Sequence, residues 1–335
     1  MLETISLAIL SVFCLSGALC VLAWVVYVPV CMRVFGEGPV LPAVTGQAAD
    51  HGEQCELSTP DGVRLRGTYL TAASAPRQGV IAFCHELGGD RYSGMRYGQG
   101  LRERGFDVFL FDFRHHGDSQ TDLGHRPLPW LTETELDDVR AVVDYLASRE
   151  DADPSGIGIM GISKGGTAAL CAAAVDPRVK AVITDGAFPT KAMQIHYIRR
   201  YMEIYTRLSG FFSRLPDPPL AALAGWTRIF IGIRHRCRFV DVEALCAKVQ
   251  QPVLMIHGDR DRFVPHAVAM RLRGCLEGPS KMWIVSRAKH NGAILAAETD
   301  YHERAAKFFR RYLGQRPARR RPRRRIAPRL ARRAG

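Results

Sequence analysis

Several things that would place this chain at once are missing from it. Its nine cysteines include no C-x-x-C pair: Cys14, Cys20 and Cys31 sit in an apolar N-terminal run, and six others are scattered. Neither a disulfide scaffold nor a structural zinc site is indicated, and scattered thiols fit a reducing compartment. No G-x-G-x-x-G follows the first strand-like run, and Gly88-Gly89 lacks the spacing and the Lys-Ser/Thr of a phosphate loop. No cofactor is implied. Acidic residues are absent from Arg316 to Arg333, where ten arginines fall, and charge is absent altogether from Thr4 to Met32.

The two charge gaps frame the chain. The net charge is +13 over 335 residues, but setting aside the ten tail arginines leaves only +3 for everything before them. The body is nearly balanced, which argues against a DNA-binding domain. The Pro-interrupted tail, 315–335, cannot build a core and is expected to be disordered, with anionic lipid favoured over nucleic acid as its partner. At the other end, Ile5 to Val28 would make a helix about 36 Å long, enough to cross a hydrocarbon core of about 30 Å. Trp24 and Tyr27 suit the interface, while Glu3 and the lack of an A-x-A site speak against a cleaved signal peptide. Residues 1–33 are therefore expected to be a single-pass membrane anchor. Arg33, just behind the span, puts the rest of the chain on the cytoplasmic side.

Residues 34–51, rich in Pro and Gly, read as a linker, and 52–314 as one domain. The segment T-P-D-G at 59–62 separates two strand-like runs, a hairpin signal. Apolar runs at 79–84, 107–112, 156–160, 181–185, 253–257 and 282–286 then alternate with helical patterns at 94–104, 133–149, 164–174, 241–249, 266–276 and 299–313. Continuous apolar strands between helices predict an α/β fold, a mostly parallel central sheet flanked by helices. More than sixty residues separate Asp185 from Val253, too many for one crossover, so about 189–240 are expected to form a helical cap over the site.

Gly161-Ile162-Ser163-Lys164-Gly165 lies between an apolar strand run and a helical run. The pentapeptide alone is a weak signal. Its context is stronger, because a nucleophilic serine needs a sharp strand-to-helix turn, and a helix N-terminus aims free N–H groups at charge developing beside it. A serine hydroxyl also needs a base, and the base a third group to fix its tautomer. Asp259 and Asp261 fall just past the strand run at 253–257, and His290 falls in the loop after the last strand. The order Ser163, Asp261, His290 is that of a nucleophile-elbow architecture, with all three at the carboxyl ends of strands.

From about Thr59 to Leu313 the chain resembles the α/β-hydrolase superfamily. Four blocks carry the likeness: C-H-E-L-G-G-D at 84–90, F-D-F-R-H-H-G-D-S at 111–119, G-I-S-K-G-G at 161–166 and H-G-D-R-D-R-F-V-P at 257–265. The resemblance implies Ser163 as nucleophile, Asp261 as the acid with Asp259 a spectator, and His290 as base. It implies an oxyanion hole from the backbone N–H groups of Lys164 and Leu87. Where relatives often carry His-Gly, this chain has His85-Glu86. These two are candidate substrate-pocket residues, and a carboxylate there opposes a developing oxyanion unless it is turned away or paired.

Asp185 is an alternative acid, and the His115-His116 pair is read as structural, with no metal expected. The reading is a membrane-anchored serine hydrolase acting on an acyl ester, lipid or small molecule. A peptidase or thioesterase of the same fold, or a non-catalytic membrane scaffold, are the alternatives.

Overall fold

The computed structural model describes residues 2–37, 52–121, 127–205 and 214–313. Strands β1 (Glu53–Ser58) and β2 (Arg64–Leu70) form the expected hairpin, closed by the Thr59 N–H on the Val63 carbonyl at 2.9 Å. Gly62, at φ 83, takes the left-handed turn position that the T-P-D-G signal requires. Strand β2 pairs antiparallel with β4 (Phe106–Phe111). From β4 onward all pairing is parallel, through β3 (Gly79–Cys84), β5 (Ile157–Ile162), β6 (Val179–Asp185), β7 (Val253–Gly258) and β8 (Ser280–Val285). The strand order is β1-β2-β4-β3-β5-β6-β7-β8. Every residue of β3, β4, β5 and β7 is buried, as both-face coverage demands of uninterrupted apolar strands.

One face of the sheet packs on α3 (Glu133–Ser148) and α4 (Lys164–Val175). The other packs on α2 (Met95–Arg102) and α10 (Glu298–Leu313), where Tyr97, Leu101, Tyr301 and Phe309 are buried. Thr132 and Glu135 close a reciprocal capping box at the start of α3, satisfying two of its free N–H groups. The short helices α7 (Val242–Cys246), α8 (His266–Cys275) and α9 (Ala293–Ala296) complete the crossovers. Among the described residues between 189 and 240 are the helices α5 (Thr190–Tyr205) and α6 (Asp217–His235).

These two helices share a third apolar cluster with an element from outside the cap. Helix α1 (Leu2–Glu37) buries Val28, Cys31 and Phe35 among Leu220, Leu223, Ala224 and Ile231 of α6. Trp24 meets Trp226 edge-on at 5.3 Å, and the Trp130 indole N–H donates to the Phe35 carbonyl at 3.0 Å. The expectation of an anchor over 1–33, with single-pass localisation, is overturned. Among the described residues no helix is long and apolar enough to cross a membrane. In the last turns of α1, Val28, Cys31 and Phe35 are buried against protein, while Val25, Val26 and Val30 stay exposed. The helix also runs through Glu37, so residues 34–37 are not linker. Residues 38–51, and the tail with the lipid and nucleic-acid contacts expected of it, lie outside the described residues.

Candidate active site

Ser163 is the single residue between β5 and α4, at φ 53 and ψ −118. A serine held in that region costs roughly 1–3 kcal/mol and persists only where its surroundings over-determine it. Its N–H donates to the Asp185 carbonyl at 2.7 Å, and its carbonyl accepts from the Thr167 N–H at 3.1 Å. The flanking glycines have a steric role. A Cβ on Gly161 would collide with the Gly165 carbonyl, and one on Gly165 would collide with the carbonyls of Cys84 and His85. Strand β5, helix α4 and the loop after β3 can meet only because these side chains are missing. The Ser163 side chain caps nothing in α4, so its hydroxyl is free to face outward.

It faces His290. Ser163 Oγ lies 2.9 Å from His290 Nε2, and His290 Nδ1 lies 2.7 Å from Asp261 Oδ2. The other oxygen of Asp261, Oδ1, accepts the N–H groups of Phe263 at 2.9 Å and Val264 at 2.8 Å. An ionised Asp261 can only accept, which fixes the proton on Nδ1 and leaves Nε2 to accept from the serine hydroxyl. Two backbone bonds hold the loops of Asp261 and His290 together, Asp259 N–H to the Val285 carbonyl at 3.1 Å and Arg260 N–H to the Ala288 carbonyl at 3.0 Å. His257, kept neutral by burial, donates from Nε2 to the Val264 carbonyl at 3.0 Å and braces the turn from below. Helix α5 reaches the same loop through the Tyr197 hydroxyl, which donates to the Phe263 carbonyl at 3.0 Å.

Other predicted residues are placed as follows. Lys164 opens α4, where the first N–H groups have no intrahelical acceptor. The Leu87 N–H has no protein acceptor among the described residues. Neither N–H is committed to an acceptor among the described residues. The Lys164 side chain turns inward, buried, onto Glu135 and the Leu128 carbonyl. Glu135 was not anticipated: the T-x-x-E capping signal was readable at 132–135, but its pairing with a residue 29 positions away was not. His85 is buried, its Nδ1–H on the Glu86 carbonyl at 2.7 Å and its Nε2 accepting the Phe113 N–H at 3.1 Å, so both ring nitrogens are spent on backbone. Burial pulls its pKa down to about 4, and that of His116 to about 3.

Glu86 is buried at 6% exposure, and desolvation raises its pKa. Asp185 lies beneath the site, its carboxyl pushed up to about 7 by burial and receiving the Tyr301 hydroxyl at 3.2 Å. The imidazole bonds Asp261 and not Asp185. Asp259 points to Ser286 at the surface. The 111–119 turn is built around buried ion pairs, Arg91 with Asp112 and Arg114 with Asp138. Among the described residues no three His, Cys, Asp or Glu side chains gather as a metal site would require.

A mostly parallel sheet with a serine on a strained strand-to-helix turn is the arrangement of the α/β-hydrolase fold. A family profile described as alpha/beta hydrolase fold matches residues 79–224, and the chain has the α/β-hydrolase fold. It is 24% identical over 264 residues to the uncharacterised protein YfhR of Escherichia coli O157:H7, covering 77% of this chain and 80% of that one. An esterase of Pyrococcus furiosus superposes with a TM-score of 0.60 at 19% identity, over 82% of this chain and 97% of that one. A dienelactone hydrolase of Anabaena variabilis superposes with a TM-score of 0.55 at 22% identity, over 78% of this chain and 98% of that one. At these identities the two structures establish the shared fold.

Proposed function

We propose that this protein is a serine hydrolase that cleaves a carboxylic ester through an acyl-enzyme. The observation that carries the reading is the unbroken line from Ser163 Oγ through the His290 ring to Asp261, with links of 2.9 and 2.7 Å. In this mechanism His290 Nε2 takes the hydroxyl proton as Ser163 attacks the carbonyl, and returns it to the leaving alcohol. Asp261 orients the ring and stabilises the imidazolium. The N–H groups of Lys164 and Leu87 hold the oxyanion, aided by the positive end of α4. Water then attacks the acyl-enzyme with His290 again as base, releasing the acid and regenerating Ser163. Residues 52–314 form the catalytic unit, and α5 and α6 its cap. The esterase and the dienelactone hydrolase among the structural neighbours support ester hydrolysis over a non-catalytic role.

A fluorophosphonate probe tests the reading. Labelling of the wild type, lost in Ser163→Ala with the fold intact, is the expected result. Equal labelling of both, or none in the folded wild type, overturns it.

A further inference from the structure

A half-exposed phenylalanine stands against His290. The Phe263 ring lies 5.6 Å from the His290 ring, centroid to centroid, within the span of aromatic contact. Phe263 leaves 46% of its surface to solvent, whereas Phe83, Phe111 and Phe113 are buried. An exposed apolar side chain by itself calls for no explanation. What sets this one apart is how firmly it is presented. Its N–H donates to Asp261 Oδ1 at 2.9 Å, and its carbonyl accepts the Tyr197 hydroxyl of α5 at 3.0 Å. Val264, next in the turn, is held by its N–H on Asp261 Oδ1 at 2.8 Å and by its carbonyl on His257 Nε2 at 3.0 Å. The turn that aims a carboxylate at the imidazole therefore also sets an apolar ring beside it.

The proton transfer of the acylation step says what such a ring would meet. His290 Nε2, 2.9 Å from Ser163 Oγ, takes the serine proton and hands it to the leaving oxygen as the carbonyl–oxygen bond breaks. That transfer brings the leaving oxygen within hydrogen-bond reach of Nε2, about 2.6–3.2 Å. Whatever the oxygen carries is thereby drawn to the imidazole, where Phe263 offers an exposed apolar ring. The acyl chain is tethered to Ser163 instead and is under no such constraint. We propose that Phe263 is a specificity-determining residue that receives an apolar, ring-sized group on the alcohol side of the ester. Esters of arylmethyl and similarly hydrophobic alcohols are then the substrate class. Binding removes apolar surface of both partners from water, and an aromatic alcohol gains a ring contact besides. This inference rests on the serine hydrolase reading above.

The test compares benzyl acetate with methyl acetate, whose alcohols are of similar acidity, and with methyl phenylacetate, which carries the ring on the acyl side. The expected result for the full-length wild type is a kcat/KM about tenfold or more higher for benzyl acetate than for methyl acetate, the scale on which one apolar contact discriminates. Phe263→Ala keeps the backbone bonds to Asp261 and Tyr197. In that variant the ratio should fall about fivefold or more, chiefly through KM, and Phe263→Leu should restore part of it. The ratio of methyl phenylacetate to methyl acetate should move clearly less, and because both readouts are ratios, a general loss of turnover cancels. A wild type without the preference, or a ratio unchanged in Phe263→Ala, overturns the proposal and leaves the hydrolase reading standing. So does a loss that falls on methyl phenylacetate instead, or a wild type that takes the fluorophosphonate but hydrolyses none of the three. A folded wild type that hydrolyses none, and takes no fluorophosphonate, overturns both.

Discussion

Asp261 meets His290 with one carboxylate oxygen and its own loop with the other, so the group that orients the imidazole is itself held by the Phe263 and Val264 N–H groups. Asp261→Asn separates these duties. The amide oxygen can keep the two loop bonds, while its NH2 presents a donor where His290 Nδ1–H needs an acceptor. The ring is forced into the other tautomer, and its Nε2 no longer accepts from Ser163. Ester turnover should fall by roughly 10⁴ with little change in thermal stability. A loss smaller than tenfold would show that the imidazole does not depend on this bond.

The elbow should respond oppositely to two glycine exchanges. Gly165→Ala drives a methyl into the carbonyls of Cys84 and His85 and should cost more than about 2 kcal/mol. Ser163→Gly removes a side chain from φ 53 and should gain up to about 1 kcal/mol while abolishing turnover. Denaturant midpoints at constant slope measure both.

Lys164 and Glu135 form a buried ion pair behind the elbow. Removing one partner strands the other charge, so Lys164→Met alone should cost about 3–5 kcal/mol. The double variant with Glu135→Met should cost clearly less than the two single changes added together. Strict additivity in that cycle would deny the coupling.

Helix α1 is joined to the loop before α3 through Phe35, 2% exposed and packed edge-on against Trp130 at 5.5 Å. Phe35→Ala should cost about 3 kcal/mol, at the lower end for a buried phenylalanine. An unchanged unfolding midpoint in the full chain would mean that the helix end contributes nothing to that loop.

Acid should destabilise the fold early. His85 and His116 are held neutral, with pKa values lowered by burial to about 4 and about 3, against about 6.5 when unfolded. Below pH 6.5 the unfolded chain binds more protons than the folded one, so their contribution is whole above that pH and drains away toward pH 4. Asp185 acts in the other direction. With its folded value raised to about 7, it favours the fold at low pH and costs stability as pH rises from about 4 to 7. Asp185→Asn should therefore be more stable than wild type at pH 8 and lose stability more steeply in acid. Unfolding midpoints measured from pH 4 to 8 check both signs.

What was written locally in the chain was legible. The alternation of strand and helix runs and the turn at 59–62 depend on neighbours within a few residues, and each appears close to its expected bounds. The order of Ser163, Asp261 and His290 at strand ends was legible, but serine and histidine stand 127 positions apart and only the tertiary structure brings them together. The choice of Asp261 over Asp185 was equally a matter of direction, since both stand at strand ends and only one turns its carboxylate to the ring. Burial decided the rest, giving Lys164 its hidden partner Glu135. The apolar helix at the N-terminus is the plainest case. Hydrophobicity records that a surface must leave water, not what it leaves water for, and here Val28, Cys31 and Phe35 leave it for α6 and Trp130.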